Sequence, residues 1–371
     1  MQEADLPGLT ASVLWAAFAL AVAFGAIAQR THFCTMGAVA DIVNLGDWTR
    51  MRMWVLAIGV AMIGFNAMVA LGWVQAGSSI YAAPKLLWLS HLVGGLLFGF
   101  GMVLASGCSS RTLVRAGGGN LKSLVVLCVL AVAAYASMRG LLGVWRAATV
   151  DAVVLQLPAG QDLPSLLAHA SGAPRTALAL GLGGGLGLAL LGWVVARPEG
   201  RRAGVLLGGI GIGAVIVGVW WVSGRLGFVA EHPATLEPAF LATNSRRMES
   251  LSFVAPVAYT MDWLILFSDT SRVLTLGIVA VLGVMLGSAA AALASGSFRW
   301  EGFGGAEDTA NHLVGAVLMG TGGITALGCT IGQGLSGVST LALGSFIALA
   351  AILAGGVLGV RYQAWRVECS L

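Results

Sequence analysis

Charged side chains are scarce in this sequence. Only 10% of the 371 residues are Asp, Glu, Lys or Arg, against roughly 25% in a typical soluble domain. A soluble protein of this length could not cover its surface with so few charges. The 20 basic and 16 acidic residues are scattered between apolar runs, which excludes the basic patch of a nucleic-acid-binding protein.

Two other signals are missing. The first residues include Glu3 and Asp5 but no basic residue, so we expect no cleavable signal peptide. The five cysteines form no C-x-x-C pair, which argues against a zinc site or a dithiol redox motif. We therefore expect neither a cofactor nor an enzymatic activity.

What the sequence does contain is apolar residues, at 58%, and 54 glycines. Runs of about 20 apolar residues are long enough to cross a bilayer as helices. The sequence predicts an all-α polytopic membrane protein with nine spans, near residues 9–29, 52–74, 87–107, 121–144, 176–196, 203–223, 272–294, 312–329 and 337–360.

Basic residues predict the orientation of these spans, because loops on the cytoplasmic side are enriched in Lys and Arg. Eleven of the basic residues fall on the same side of the predicted spans: Arg30, Arg50, Arg52, Arg111, Arg115, Lys122, Arg197, Arg201, Arg202, Arg361 and Arg366. We expect this side to be cytoplasmic, with an external N-terminus and a cytoplasmic C-terminus.

Two apolar stretches, 33–45 and 253–267, are too short to span the membrane. We expect them to be re-entrant segments buried in protein.

An internal repeat links two of the spans. The run 91–108 (HLVGGLLFGFGMVLASGC) matches 312–329 (HLVGAVLMGTGGITALGC) at ten of 18 positions, with an offset of 221 residues. The same offset relates Asp41 to Asp262 and Cys34 to Ala255. In the predicted orientation the two runs enter from opposite sides, which is the inverted-repeat arrangement of many transporters. We expect one domain with repeat 1 at about 9–145, a linking span at about 176–196 and repeat 2 at about 203–361.

Each repeat unit ends in a helix-weakening sequence around a Gly-Cys pair. A helix interrupted inside the membrane presents free N–H groups and the positive end of its dipole, which favours an anion. Glycine also lets the backbone approach a ligand. The candidate anion-binding residues are therefore Gly107, Cys108, Ser109 and Arg111 in the first unit, and Gly328, Cys329, Thr330 and Gln333 in the second.

Other interpretations remain open at this stage. The glycines alone are also explained by close helix packing. His91 and His312 are related by the repeat, so a haem-based redox protein is an alternative, although capping histidines are expected. Asp41 and Asp262 fit either proton coupling or the anchoring of short helices. Cys128 and Cys369 are expected to be ordinary small apolar residues without a role in binding.

Three cysteine motifs give the sequence a resemblance to a known family. They are RTHFCTMGAVAD at 30–41, GMVLASGCSSRTLVR at 101–115 and ALGCTIGQGLSG at 326–337. Their order and content resemble the YeeE/YedE family of bacterial inner-membrane sulfur transporters. The resemblance implies an hourglass-like protein of nine spans with short inserted helices. It also implies that Cys34, Cys108 and Cys329 line the central constriction.

The resemblance further implies a function. Members of the family take up thiosulfate and pass it along the three cysteines by hydrogen bonding, without a covalent bond. It also implies a small cytoplasmic TusA-like sulfurtransferase as a possible receiver. Some relatives are linked to selenium, so a selenium anion or another sulfur anion remains an alternative substrate.

Overall fold

The structure, a computed structural model, describes residues 6–233 and 235–370, and the acidic start examined for a signal peptide lies outside them. It consists almost entirely of helices. They are α1 Leu6–Thr31, α2 Thr35–Leu45, α3 Thr49–Ala70, α4 Trp88–Leu104, α5 Ser109–Gly117, α6 Leu121–Arg139, α7 Leu141–Ala148, α8 Leu163–Ser171, α9 Arg175–Val195, α10 Ala203–Trp221, α11 Val254–Ile265, α12 Leu276–Ala294, α13 Ala306–Thr325 and α14 Leu343–Ser370. The prediction of an all-α polytopic membrane protein is confirmed.

The strands are short and lie in the connections. Strand β1 (Lys85–Leu86) pairs antiparallel with β2 (Leu155–Gln156), and β3 (Phe228–Val229) pairs antiparallel with β4 (Ala239–Phe240). The register places Lys85 opposite Gln156 and Phe228 opposite Phe240. The first ribbon joins two different connections, whereas both strands of the second lie in the connection between α10 and α11.

Eight apolar stretches of the described residues, rather than the nine predicted, are long and apolar enough to cross a membrane. They are Leu6–Leu45, Thr49–Ala70, Trp88–Gly117, Leu121–Arg139, Arg175–Val195, Ala203–Leu226, Leu276–Ala294 and Leu343–Cys369. The predicted span at 312–329 corresponds to α13, which is missing from this set. It begins with Glu307 and Asp308 and packs against α4 and α6. A helix surrounded by protein needs less apolar surface than one that faces lipid.

The two stretches predicted to be re-entrant form the short helices α2 and α11. Each has an aspartate that is paired with an arginine beyond its end. Asp41 lies 3.2 Å from Nε of Arg50, and Asp262 lies 3.1 Å from Nη1 of Arg272. These ion pairs favour the anchoring interpretation of the two aspartates over proton coupling, because each joins a short helix to the segment beyond its end.

Helices α4 and α13 cross each other closely along a row of glycines. A methyl group on Gly94 would meet the backbone of Gly322 and Ala326, and one on Gly315 would meet the backbone of Gly101 and Ala105. The two helices are therefore antiparallel. The two contacts are equivalent under the repeat. The 221-residue offset relates Gly94 to Gly315 and Ala105 to Ala326, so the contact of Gly94 with Ala326 corresponds to the contact of Gly315 with Ala105. Such an exchange is what a two-fold axis between the repeat units would produce.

We expect Gly322→Ala to destabilise the protein, because the added methyl group would meet the backbone of Gly94 and Phe98. Overpacking of this kind costs about 1–3 kcal/mol of unfolding free energy. The matched control is Gly184→Ala in α9, where a methyl group would meet nothing within 4 Å. Thermal unfolding in detergent should show a lower midpoint only for Gly322→Ala. Equal midpoints for the two variants would contradict the close crossing.

Candidate functional site

Three helices are interrupted in the same way, each by a residue in the left-handed region. These residues are His32 (φ 53°), Ser106 (φ 56°) and Leu327 (φ 58°). Each lies two positions before a cysteine, and helical backbone resumes directly after that cysteine. Left-handed backbone is uncommon outside glycine, so its recurrence before Cys34, Cys108 and Cys329 marks one shared structural device.

The three thiols lie at the beginnings of the new helical segments and are buried. Cys34 and Cys329 each accept a hydrogen bond from the backbone N–H three residues later, with S···N distances of 3.3 Å from Gly37 and 3.4 Å from Gly332. Sγ of Cys108 lies 3.3 Å from Oγ of Ser110. Sulfur is a weak hydrogen-bond acceptor, so the N–H groups at these helix starts can still bind a stronger acceptor.

The interruptions leave backbone carbonyls that other side chains satisfy. The carbonyl of Ala326 accepts a hydrogen bond from Nε2 of Gln333 at 2.7 Å and lies 3.1 Å from Nδ1 of His91. Arg115 donates to the carbonyl of Ser106 at 3.1 Å. Arg146 donates to the carbonyl of Ile324 at 3.1 Å. Freed carbonyls need such partners, because lipid offers none.

A hydroxyl follows each of the three cysteines. Thr35, Ser109 and Thr330 are at most 1% exposed. Their hydroxyl oxygens have no hydrogen-bond partner within the part of the chain that the structure describes. A buried polar group without a partner costs about 1–3 kcal/mol. These hydroxyls are therefore available to donate to a ligand at the three helix starts.

One cavity, of about 800 Å³, reaches His32 of the first interruption and two arginines, Arg111 and Arg115, of the helix that follows Cys108. We call it the Arg111 cavity; its charged and titratable lining residues are Arg30, His32, Arg111, Arg115, Arg299 and Glu301. Glu301 is hydrogen-bonded by Asn120. Nη1 of Arg111 is buried and has no partner among the described residues. The cavity is therefore strongly basic beside Cys34 and Cys108.

A second cavity, of about 500 Å³, reaches the third interruption. We call it the Arg146 cavity; its lining includes Arg139, Arg146, Glu249, Ser252, Tyr259, Leu327 and Gly328. Oγ of Ser252 lies 4.0 Å from Sγ of Cys329. The two cavities have no lining residue in common. Each ends next to at least one of the buried thiols.

Aromatic side chains connect the interruptions. The ring of Phe33, next to Cys34, stacks on Trp54 with centroids 6.4 Å apart. Trp54 in turn lies against Gly334, in the π-helical segment Gly332–Gly337 that follows Cys329. Trp54 is 2% exposed. The first and third interruptions therefore contact the same buried indole.

Two long connections fold over the end of the bundle that carries the Arg146 cavity. The segment between α3 and α4 pairs with both, through β1–β2 and through the bridge of Ser79 with Met248. From the same segment, Tyr81 donates to the carbonyl of Gly332 at 2.7 Å. The connections near 145–175 and 224–250, whose role the sequence leaves unexplained, thus support the third interruption.

The remaining sequence candidates differ in their surroundings. Gly107 and Gly328 are buried directly before their cysteines. The amide of Gln333 is occupied on both sides, because it also accepts from Ser345 at 2.6 Å. Cys128 and Cys369 are exposed. Sequence reasoning missed Thr35, although the Cys-Ser or Cys-Thr pair that occurs at all three sites was a usable signal.

The two repeat-related histidines cannot ligate one iron. His91 contacts Ala326, and His312 precedes Ala326 by 14 residues along α13, which is about 21 Å of helix. Nδ1 of His312 lies 2.7 Å from the carbonyl of Asp308. The haem alternative therefore lacks its ligand pair, and both imidazoles bond to backbone instead.

Buried thiols at interrupted helices, with two cavities partly lined by charged side chains, are compatible with a membrane transport protein. The sequence matches the Sulphur transport family over residues 30–358. The chain belongs to this family, as the resemblance to the YeeE/YedE proteins implied. It is a multi-pass membrane transporter.

Its curated relatives are transporters as well. The chain is 28% identical to the thiosulfate transporter TsuA of Escherichia coli strain K12, over 92% of this chain and 91% of the relative. It is 26% identical to TsuA of Spirochaeta thermophila, over 91% and 94%. A probable transporter, YedE of Salmonella typhimurium, is 33% identical over 27% of this chain and 23% of its own length.

We expect Gln333→Ala to lower the unfolding free energy by about 1–3 kcal/mol, because the carbonyl of Ala326 and the hydroxyl of Ser345 lose their amide partner. Thermal unfolding in detergent should show a midpoint that is lower by a few degrees. Gln156→Ala on the exposed strand β2 is the matched control. An unchanged midpoint for Gln333→Ala would show that the amide is dispensable for this interruption.

Proposed function

We propose that this protein imports thiosulfate into the cytoplasm through a constriction lined by Cys34, Cys108 and Cys329. The observation that carries the proposal is the burial of three thiols at helix starts, next to one or the other of two polar cavities. The similarity to two proteins named thiosulfate transporters supports the substrate. The dianion enters the Arg146 cavity, passes Cys329 and then Cys108 and Cys34, and leaves through the Arg111 cavity.

The distribution of basic residues indicates which side of the membrane each cavity faces. The Arg111 cavity carries Arg30, Arg111, Arg115 and Arg299, and the positive-inside rule assigns such a side to the cytoplasm. The Arg146 cavity then opens to the periplasm of a bacterial inner membrane. The N-terminus is periplasmic and the C-terminus is cytoplasmic.

Recognition rests on two kinds of donor at each helix start. A thiol is a weak donor with a polarisable sulfur, and it suits the terminal sulfur of thiosulfate. The hydroxyls of Thr35, Ser109 and Thr330 and the free N–H groups of the helix starts suit its oxygens. None of these groups carries a negative charge, so the dianion meets no like charge at the constriction. The thiols pass it on through hydrogen bonds, without forming a covalent bond.

Two of the candidate residues act indirectly or at the exit. Gln333 holds the carbonyl of Ala326, so it positions the third interruption. Arg111, with its unpaired Nη1, attracts the anion from the constriction into the Arg111 cavity. A guanidinium recognises oxyanions in a planar, two-pronged manner. A cytoplasmic TusA-like sulfurtransferase receives the substrate from this side.

The domain organisation fits this route. We propose one transmembrane domain in which repeat 1 spans about 9–145 and repeat 2 about 203–361, with α9 as the link between them. The exchanged contacts of α4 and α13 support an inverted relation of the two halves. In transporters with inverted repeats, the substrate site lies near the middle of the membrane where the halves meet.

We expect Cys108→Ala and Cys329→Ala to reduce thiosulfate uptake by about tenfold or more, the effect of losing ~1.4 kcal/mol of stabilisation along the route. Uptake by Cys34→Ala is measured in the same series of variants. Uptake is measured in cells that lack their own thiosulfate transporter, with expression checked by immunoblot. The matched control is Cys128→Ala, whose thiol is exposed on α6. Competition with sulfate, selenate and selenosulfate in the same assay tests the choice of anion.

Normal uptake by Cys108→Ala and Cys329→Ala, or complete loss in Cys128→Ala, would contradict the assignment of the three thiols. A preference for a selenium anion in the competition would leave the route intact and change the substrate.

A covalent relay is the competing mechanism. A cysteine thiolate would attack the terminal sulfur of thiosulfate, forming a persulfide on the protein and releasing sulfite. We expect mass spectrometry of thiosulfate-treated protein to show no added sulfur atom on Cys34, Cys108 or Cys329. Treatment with a persulfide donor provides the positive control. A persulfide that forms on one of the three cysteines and disappears during turnover would contradict the hydrogen-bonded relay and support the covalent one.

A further inference from the structure

One acidic side chain lines the Arg146 cavity, and neither the family nor the three interruptions account for it. Glu249 lies in the connection between β4 and α11. Its carboxylate accepts a hydrogen bond from Oγ of Ser245 at 2.9 Å, and its backbone carbonyl accepts one from Oγ of Ser223 at 2.5 Å. Glu249 is therefore held in place on the wall of a cavity whose proposed occupant is an anion.

This carboxylate has no ion-pair partner within residues 6–233 and 235–370. Of the two arginines that line the same cavity, Arg146 is paired with Asp151 at 3.2 Å and donates to the carbonyl of Ile324. Arg139 forms no ion pair with Glu249 either. Glu249 thus differs from Asp41 and Asp262, each of which forms an ion pair with an arginine.

The surroundings of Glu249 hold the pKa of its carboxyl near neutrality. Burial raises the pKa from 4.5 to about 7, and the hydrogen bonds from Ser245 and from the backbone of Asn244 only partly oppose this effect. The other titratable groups that face the cavity are Arg139 from α6, Arg146 from α7 and the phenol of Tyr259 from α11. Tyr81 also lies within electrostatic range of Glu249.

We propose that Glu249 is a proton-binding site through which anion entry is coupled to the uptake of one proton. A dianion in the Arg146 cavity would lie next to a second negative charge if Glu249 stayed ionised. In a partly desolvated cavity this repulsion is strong. The carboxyl therefore takes up a proton as the anion arrives. This inference rests on the proposed function of the same route.

The sign of the pH dependence follows from linkage. A bound dianion raises the pKa of Glu249 further, and the same coupling makes the protonated protein the stronger binder. Below about pH 7 the carboxyl of the free protein is already protonated, so affinity is nearly constant. Above this pH each binding event must bring a proton, and affinity falls by up to about tenfold per pH unit.

Isothermal titration calorimetry with thiosulfate tests the coupling on the full-length protein in detergent. Titrations between pH 6 and 9 in buffers of different ionisation enthalpy give both the affinity and the number of protons taken up. The variant is Glu249→Gln, which keeps the shape and a fixed neutral charge. The matched control is Glu231→Gln, an exposed residue in the loop between β3 and β4.

For the wild type and Glu231→Gln we expect proton uptake that rises from near zero at the acidic end towards one at the alkaline end. For Glu249→Gln we expect no uptake and an affinity that does not change with pH. Binding without proton uptake in the wild type overturns the inference but leaves the proposed function standing. Proton uptake that persists in Glu249→Gln overturns the assignment to this residue. Absence of thiosulfate binding in all three proteins overturns the proposed function, and this inference with it.

Discussion

Backbone groups that are freed inside a bilayer must find hydrogen-bond partners within the protein, and the architecture of this transporter depends on that requirement. Three helices are interrupted at a left-handed residue before a cysteine. The carbonyls left behind are held by Arg115, Arg146, His91 and Gln333. At Cys34 and Cys329 the cap of the resumed helix is a sulfur atom. The carbonyls of Ser106, Ile324 and Ala326 thus have side-chain partners, whereas these two helix starts are capped by a weak acceptor.

Charged side chains lie in the two cavities rather than at the three helix starts that follow Cys34, Cys108 and Cys329. Arginines line both cavities, and the helix starts offer thiols, hydroxyls and backbone N–H groups. Burying an arginine at the centre of a bilayer costs about 2.5 kcal/mol or more, and a full charge there would also hold a dianion too firmly for transport. The proposed route needs neutral donors at the helix starts, together with the arginines that line the two cavities.

The sequence predicted the helical membrane fold and two of the three interruptions, because composition and the internal repeat are local properties. The first interruption, before Cys34, was reached only through the family resemblance, since the repeat partner of Cys34 is Ala255 and carries no thiol. The predicted ninth span corresponds to α13, which falls outside the eight apolar stretches and carries Glu307 and Asp308 in its first turn. Trp54 and Glu249 gained meaning only from tertiary contacts, which join segments far apart in the chain and leave no periodic signal.

The central claim is that a soft dianion is held at the three helix starts, between the cavities. Its most direct test is an experimental structure of the protein with thiosulfate bound, compared with one of Cys329→Ala under the same conditions. The account predicts density for the anion within hydrogen-bond distance of at least one of the sulfurs of Cys34, Cys108 and Cys329, and of the hydroxyl that follows it. Density that lies only at the outer surface, or that is unchanged beside residue 329 in Cys329→Ala, would contradict it.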